Sequence, residues 1–255
     1  MTAPPPLRSA RAAFVFLTRL PVGGFPYRPE DWAWSSAHFP LVGLVLGAIL
    51  AGLQAVLARG LDGLSTGFLV VGASLLITGA FHEDGLADTS DALGGAYDRD
   101  KLFAILKDSR VGTFGAAALV ISIGARAALY ARLGPACAWA LPLVGCAARV
   151  GPVWLMTALP YATPEGSRSR DVVRGRAPQA VVATAWLALA SIACARCVGL
   201  APARLAAMMV ALAAVTVISG ARYRARAGGI TGDFLGATEQ LGEIAALASL
   251  AWSSG

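Results

Sequence analysis

The strongest constraint in this sequence is a set of long segments with almost no charge. A helix that crosses a bilayer needs about 20 predominantly apolar residues. Segments of roughly that length, each with no charged residue or a single arginine, occur at 39–58, 64–81, 111–131, 135–159, 177–195 and 205–221. They predict six membrane-spanning helices, because a bilayer allows apolar side chains to remain on the outer surface of a protein.

The overall composition also favours a membrane protein. Hydrophobic residues make up 56% of the chain and charged residues 14%, whereas roughly a quarter of the residues of a soluble domain are charged. The sequence therefore predicts an all-α, polytopic helical bundle that forms a single membrane domain over residues 1–255. Residues 1–38 are expected to form a cytoplasmic or interfacial N-terminal segment. The apolar piece 244–254 is too short to span comfortably and is only a candidate seventh span.

Charged residues are distributed unevenly between the predicted spans. Three connections are short and nearly uncharged, whereas the N-terminal region and the connections 82–110, 161–176 and 222–240 are long and charged. Six spans place all four charged segments on one side, and positive residues in flanking loops favour the cytoplasm. We therefore expect a multi-pass protein of the cell (inner) membrane with its site on the cytoplasmic face. The net charge of +6 belongs to these loops, which argues against nucleic-acid binding.

Clustered carboxylates follow the second predicted span. Asp84, Asp88 and Asp91 are spaced i, i+4, i+7, so a helix places them on one face, where like charges repel. Glu83 adds a fourth carboxylate, and the segment from Glu83 to Asp108 holds seven of the chain's 15 acidic residues. Mg²⁺, a hard cation that prefers oxygen ligands, would relieve this repulsion. The alternative is a solvated helix start, where aspartate complements the helix dipole.

Two further features border the acidic cluster. Lys107 and Arg110 are separated by one helical turn, so both could reach one anion, and the planar fork of arginine suits phosphate oxygens. The alternative for this pair is ordinary juxtamembrane charge. His82 is a candidate base or substrate contact, although an interfacial histidine bonded to the backbone is the commoner case.

Two later loops carry candidate substrate-binding residues. The connection 161–176 contains Arg168 and Arg170, which could clamp a diphosphate or anchor on anionic lipid, and the sequence leaves both readings open. In the turn 226–237, glycines allow close approach of the backbone to a ligand, and Asp233 could complete a metal site or an anion-binding nest. The alternative for Asp233 is a helix N-cap. The candidates in this turn are Gly228, Gly229, Thr231, Gly232 and Asp233.

Four runs of residues resemble the cobalamin synthase family, whose members are adenosylcobinamide-GDP ribazoletransferases. These runs are FLTRLP at 16–21, FHEDGLADTSD at 81–91, KDSRVGT at 107–113 and GGITGDFLGA at 228–237. Their order and spacing and the overall length agree with the family over nearly the whole chain. The combination of the 81–91 run with the 228–237 run is more specific than either run alone.

The resemblance implies a Mg²⁺-dependent transfer in cobalamin biosynthesis. The family joins adenosylcobinamide-GDP to α-ribazole or its 5′-phosphate. A ribose hydroxyl attacks the phosphate on the cobinamide arm, and GMP leaves. The implied partners are therefore these small molecules and the lipid bilayer, with no nucleic acid.

The resemblance also implies roles for particular residues. The aspartates of the 81–91 run would hold Mg²⁺ on the diphosphate. Lys107 and Arg110 would neutralise the charge that builds up on the leaving GMP. Asp108 or Asp233 would add a metal ligand or accept the proton of the attacking hydroxyl.

Two other classes of protein remain open. A CDP-alcohol phosphotransferase also uses spaced aspartates at a membrane face, but it has Ala-Arg after its Asp-Gly start, where this chain has Ala87 followed by Asp88. A transporter buries ionisable residues midway through its spans. Only Arg126 and Arg149 qualify here, and both could snorkel toward an interface. The sequence does not determine the oligomeric state.

Overall fold

Helices account for nearly all of the described chain. A computed structural model of the protein describes residues 6–23, 27–162 and 176–252. Within these ranges the α-helices are α1 (Pro6–Leu17), α2 (Pro29–Ser35), α3 (Phe39–Leu57), α4 (Gly63–Thr78), α5 (Phe81–Gly95), α6 (Arg99–Ile105), α7 (Thr113–Leu133), α8 (Cys137–Ala148), α9 (Val150–Ala158), α10 (Ala177–Cys197), α11 (Pro202–Ala227) and α12 (Gly232–Ala251). The only β pairing in the same ranges is an isolated bridge between Tyr161 and Ile230. The all-α prediction is therefore confirmed.

Several helices are long and apolar enough to cross a membrane. The stretches of the described chain that qualify by length and composition are Pro29–Leu57, Thr113–Ala158, Ala177–Cys197 and Pro202–Ala227, and α4 together with α5 would make a fifth. A multi-pass helical bundle is thus confirmed, but the predicted count of six spans is not. Large apolar side chains point outward, for example Leu76, Val120 and Val217, which are 77%, 73% and 68% exposed. Lipid-facing surface has this character.

A sharp break separates α4 from α5. The two helices meet at an angle of 94°, and the chain turns through Gly79 and Ala80, which have φ values of +70° and +57°. The N-terminal segment packs against the break, since the Arg19 backbone N–H donates to the Ile77 carbonyl at 2.7 Å. A Cβ on Gly79 would overlap the Arg19 guanidinium, so this position requires glycine both for space and for its left-handed backbone. We therefore treat α4 as the membrane segment and α5, which carries the carboxylates, as lying outside it.

Glycine allows two pairs of helices to cross at backbone contact. Where α3 crosses α8, a Cβ on Gly43 would overlap the Gly145 carbonyl oxygen. Where α5 crosses α12, a Cβ on Gly85 would lie 2.8 Å from the Asp233 carbonyl oxygen. Small residues permit this approach between membrane helices, which pack without a hydrophobic driving force between them. The second crossing matters for function because it sets the first turn of α12 against the acidic helix α5.

A buried ion network joins α5, α7 and α12. Arg126 on α7 is 0% exposed. Its Nη2 donates to Glu83 Oε1 at 2.8 Å, and its Nη1 lies 3.6 Å from Glu243 Oε2. The Tyr130 hydroxyl donates to Glu243 Oε1 at 2.7 Å. The expectation that Arg126 snorkels to an interface is wrong, because its guanidinium is held inside the bundle by two carboxylates.

A second buried charge pair lies between α8 and α12. Arg149, which is 6% exposed, places its Nη1 3.0 Å from Glu239 Oε1. The same nitrogen donates to the Gly145 carbonyl at 2.8 Å. Gln240 Nε2 donates to Glu239 Oε2 at 3.0 Å. Arg149 therefore also stays inside the bundle, and α12 carries carboxylates to both buried arginines.

Removal of the Arg126 guanidinium should destabilise the bundle strongly. An Arg126→Leu substitution leaves Glu83 and Glu243 buried without their cation, and breaking a buried pair in this way typically costs about 3–5 kcal/mol. We expect a large drop in the thermal unfolding midpoint of the protein in detergent. Arg204→Leu is the matched control, since Arg204 is exposed at the start of α11. An Arg126→Leu protein as stable as the control would contradict a structural role for the network.

The crossing of α3 and α8 allows a second stability test. Gly43→Ala should lower the unfolding midpoint because the added methyl group meets the backbone of α8. Gly52 lies on the same helix, and a Cβ there would meet nothing within 4 Å. Gly52→Ala should therefore leave the midpoint unchanged or raise it, since alanine is favoured over glycine in a helix by up to about 1 kcal/mol. Equal effects of the two substitutions would mean that α3 and α8 do not cross at Gly43.

Candidate active site

The carboxylates of the 81–91 run lie on one helix, as predicted. Helix α5 spans the whole run, so Asp84, Asp88 and Asp91 keep their i, i+4, i+7 relation. Asp84 is exposed, whereas Asp88 and Asp91 are half-buried. Glu83 does not join them, because its side chain is buried against Arg126.

Asp233 approaches the same cluster from α12. The crossing at Gly85 brings the backbone of Asp233 against α5. The N-cap of α12 is Thr231, whose Oγ1 accepts from the Phe234 backbone N–H at 3.2 Å. The interpretation of Asp233 as the N-cap is therefore wrong, and the carboxylate of Asp233 receives a hydrogen bond from the Thr231 hydroxyl at 3.4 Å instead.

The electrostatics of the cluster reflect four carboxylates from two helices. Partial burial, followed in order of size by the negative charges of Asp84, Asp233 and Asp91, raises the pKa of Asp88 to about 6. Burial also raises the pKa of Asp233, and the charge of Asp84 adds to this effect. Neighbouring ionised carboxylates thus make ionisation of Asp88 and Asp233 more costly.

A hard divalent cation suits the donor chemistry of this cluster. The side chains of Asp84, Asp88 and Asp233 offer only oxygen atoms, and a cation would remove their mutual repulsion. Within the described ranges, no three carboxylate, histidine or cysteine side chains stand close enough together to hold an ion by themselves. Mg²⁺ does not require such a cage, because it is usually bound by one or two carboxylates together with substrate phosphate and water.

Asp91 ties the acidic helix to the loop before α7. Its Oδ2 accepts from the Gly112 backbone N–H at 2.7 Å and its Oδ1 accepts from the Gly115 N–H at 2.9 Å. A Cβ on either glycine would press on the Asp91 carboxylate. Asp91 therefore caps the N-terminus of α7 from a different helix. The helix dipole favours a negative charge at this position.

The basic loop beside the cluster is not helical. Helix α6 ends at Ile105, so the prediction that Lys107 and Arg110 lie one helical turn apart is wrong. Arg110 folds back onto Asp108, with Nη2 2.6 Å from Oδ2. The hydrogen bonds from Arg110 lower the pKa of Asp108 to about 2, which makes Asp108 a weak proton acceptor. Both basic side chains are exposed or half-exposed on the loop that Asp91 anchors.

A cavity of about 720 Å³, part of it open to solvent, lies beside the carboxylates. Asp84, Gly232 and Asp233 line it on the side of the cluster, and His82 lines it from α5. His82 is 5% exposed, and its Nδ1 lies 3.9 Å from Glu239 Oε2, which is too far for a hydrogen bond. His82 therefore faces the cavity rather than the open surface.

The glycines of the 228–237 run divide into two groups. Gly228 ends α11 with φ of +76°, and a Cβ on Gly229 would overlap the Pro160 carbonyl oxygen. The following Ile230 N–H donates to the same carbonyl at 2.9 Å. These two glycines thus serve the packing of the turn. In contrast, a Cβ on Gly232 would meet nothing within 4 Å, so this glycine leaves open space at the cavity wall.

Two residues that line the cavity were not predicted as site residues from the sequence, and two predicted residues lie outside the described part of the chain. Arg149 and Glu239 line the cavity, although the sequence suggested only that Arg149 could snorkel toward an interface. A charge inside a long apolar segment is the signal that marked Arg149, since such charges usually have a partner. The candidates Arg168 and Arg170 lie outside the described residues.

Comparisons with known proteins agree with the family resemblance. The family model for cobalamin-5-phosphate synthase matches residues 9–251. A protein named adenosylcobinamide-GDP ribazoletransferase from Allorhizobium ampelinum is 41% identical over 92% of this chain and 93% of its own length. The protein of that name from Leptothrix cholodnii is 39% identical over 98% of this chain and 97% of its own length. No solved structure matches. Because the family model and these relatives extend over nearly its whole length, the chain belongs to the cobalamin-5-phosphate synthase family.

Proposed function

We propose that this protein is a Mg²⁺-dependent adenosylcobinamide-GDP ribazoletransferase. It would join adenosylcobinamide-GDP to α-ribazole or its 5′-phosphate and release GMP. Membership of the family supports the overall reaction. The observation that carries the assignment to a site is the meeting of Asp84 and Asp88 on α5 with Asp233 on α12 at the edge of a cavity.

The metal would be held by Asp84 and Asp88, with the substrate diphosphate supplying further oxygen ligands. Mg²⁺ would neutralise the charge of the diphosphate and polarise the phosphate that is attacked. The raised pKa of Asp88 supports this placement, because it reflects burial together with the negative charge of neighbouring carboxylates, and a bound cation would balance that charge. Asp91, whose two oxygens accept backbone N–H groups, would act by fixing the neighbouring loop.

Asp233 is the carboxylate best placed to take the proton of the attacking hydroxyl. It borders both the cluster and the cavity, and its raised pKa favours proton uptake over that of an ordinary aspartate. The ribose oxygen would form a bond to the phosphorus on the cobinamide arm. The bond from that phosphorus to the GMP oxygen would break, and the hydroxyl proton would pass to Asp233.

The leaving GMP would be met by the basic loop. Lys107 and Arg110 lie on the segment that Asp91 holds beside α5, so their charge is close to the phosphates without a shared helix. Arg110 would exchange its ion pair with Asp108 for phosphate oxygens, which suit its planar fork. The distribution of basic loops further supports placing this face at the cytoplasmic side of the inner membrane.

Release of GMP tests the proposed reaction directly. Purified protein should release GMP from adenosylcobinamide-GDP only when α-ribazole and Mg²⁺ are both present. Asp84→Asn and Asp88→Asn should each lower kcat/KM by about 100-fold or more, because each removes charge from the phosphate site. Asp100→Asn, on the exposed start of α6, is the control and should stay within twofold. Wild-type rates in Asp84→Asn, or GMP release in EDTA, would contradict the proposal.

The pKa of Asp88 predicts how Mg²⁺ binding depends on pH. Because this pKa is raised to about 6, the carboxyl is protonated below that pH and the proton competes with Mg²⁺. The Mg²⁺ concentration for half-maximal GMP release should be constant above pH 7 and rise about tenfold for each unit below 6. Asp88→Asn should weaken Mg²⁺ binding at neutral pH and abolish this dependence. A half-saturating concentration that is the same at pH 5 and pH 7.5 would exclude Asp88 as a ligand.

A further inference from the structure

The cavity beside the carboxylates has two chemically different walls. One wall is aromatic and comes from three helices: Phe16 on α1, Phe39 on α3 and Phe81 on α5. The rings of Phe16 and Phe39 are parallel, with centroids 5.7 Å apart, and the ring of Phe81 meets Phe16 edge to face at 5.4 Å. Phe81 remains 42% exposed, so part of an aromatic face is open to a ligand.

Another part of the cavity lining is polar and overlaps the candidate reaction site. Asp84 and Asp233 line the cavity and also belong to the carboxylate cluster. A ligand that rests on the aromatic wall and fills the cavity would therefore end at these two side chains. The shape selects a molecule with a flat apolar part at one end and hydroxyl groups at the other.

The deeper polar part of the cavity carries balanced charge. Arg149 and Glu239 both line it, and they are paired at 3.0 Å. Because the arginine charge is already matched, this part of the cavity does not favour a phosphate. A phosphate on the same ligand would therefore have to lie outside this part of the cavity.

We propose that this cavity binds the acceptor nucleoside, α-ribazole or its 5′-phosphate, with its fused-ring base against Phe16, Phe39 and Phe81 and its ribose at Asp233. The assignment rests on the proposed function and adds the position of the second substrate to it. The lining is mostly apolar and aromatic with a few polar groups, which is typical of small-molecule sites, whereas the GDP-activated corrinoid is far larger than such a site. The corrinoid substrate therefore approaches from the outer side, past Asp88.

Two conservative substitutions in the aromatic wall test this placement. Phe81→Leu and Phe16→Leu keep an apolar side chain but remove the ring that the base stacks on. Each should raise the KM for α-ribazole about tenfold and leave the KM for adenosylcobinamide-GDP unchanged. Phe68→Leu is the control, since Phe68 is 46% exposed on α4 and is not part of this cavity. Direct calorimetric titration of α-ribazole into each protein, without the second substrate, should show the same tenfold loss.

The outcomes separate the cavity assignment from the proposed function. If wild-type protein releases GMP but Phe81→Leu and Phe16→Leu change neither the KM nor the direct binding of α-ribazole, the cavity assignment falls and the transferase function stands. An equal rise in the KM for both substrates would also overturn it, because that result indicates general damage. If wild-type protein releases no GMP, the proposed function fails, and binding of α-ribazole that depends on Phe81 then tests the cavity alone.

Discussion

The fold depends on how the charge of Arg126 is satisfied away from water. An arginine buried in a membrane bundle must find carboxylates, and Arg126 finds Glu83 on α5 and Glu243 on α12. One cation on α7 therefore holds both helices that carry the candidate site aspartates. One turn earlier on α12, Glu239 forms an ion pair with Arg149. A transporter would require ionisable residues inside its spans. Arg126 and Arg149 meet that description, but both are paired with carboxylates and serve to fix the helices.

Fixed helices allow the site to keep an unfavourable arrangement of charge. Aspartates that repel one another would separate if their helices could slide, but α5 and α12 meet at Gly85 with no room between their backbones. The cost shows in the raised pKa of Asp88. The same crossing places Asp84 and Asp233 at the border between the surface and the cavity, so two substrates can meet there from opposite sides.

Local patterns were predictable from the sequence, whereas distant pairings were not. The shared face of Asp84 and Asp88 follows from helical spacing alone. The pairing of Arg126 with Glu243 joins residues far apart in the chain, and an apolar segment does not indicate which distant carboxylate its charge will meet. The prediction that the 107–113 run is helical was wrong for a related reason. Asp91 accepts a hydrogen bond from the backbone N–H of Gly112, the N-cap of α7, and the residues before Gly112 form a turn and loop instead of a helix. The close crossing of α5 and α12 at Gly85 likewise could not be predicted, because a glycine in a helix does not by itself indicate which helix it packs against.

The hydrogen bond from Gly112 to Asp91 also has an entropic consequence. It closes a segment whose ends are 21 residues apart in sequence. The conformational entropy of the basic loop is therefore lost during folding and not when a substrate binds. The cationic and anionic halves of the site are thereby held at a high effective concentration relative to each other before any nucleotide arrives. A substrate that bridges them meets a surface that is already assembled, and more of its intrinsic affinity remains for the reacting phosphate.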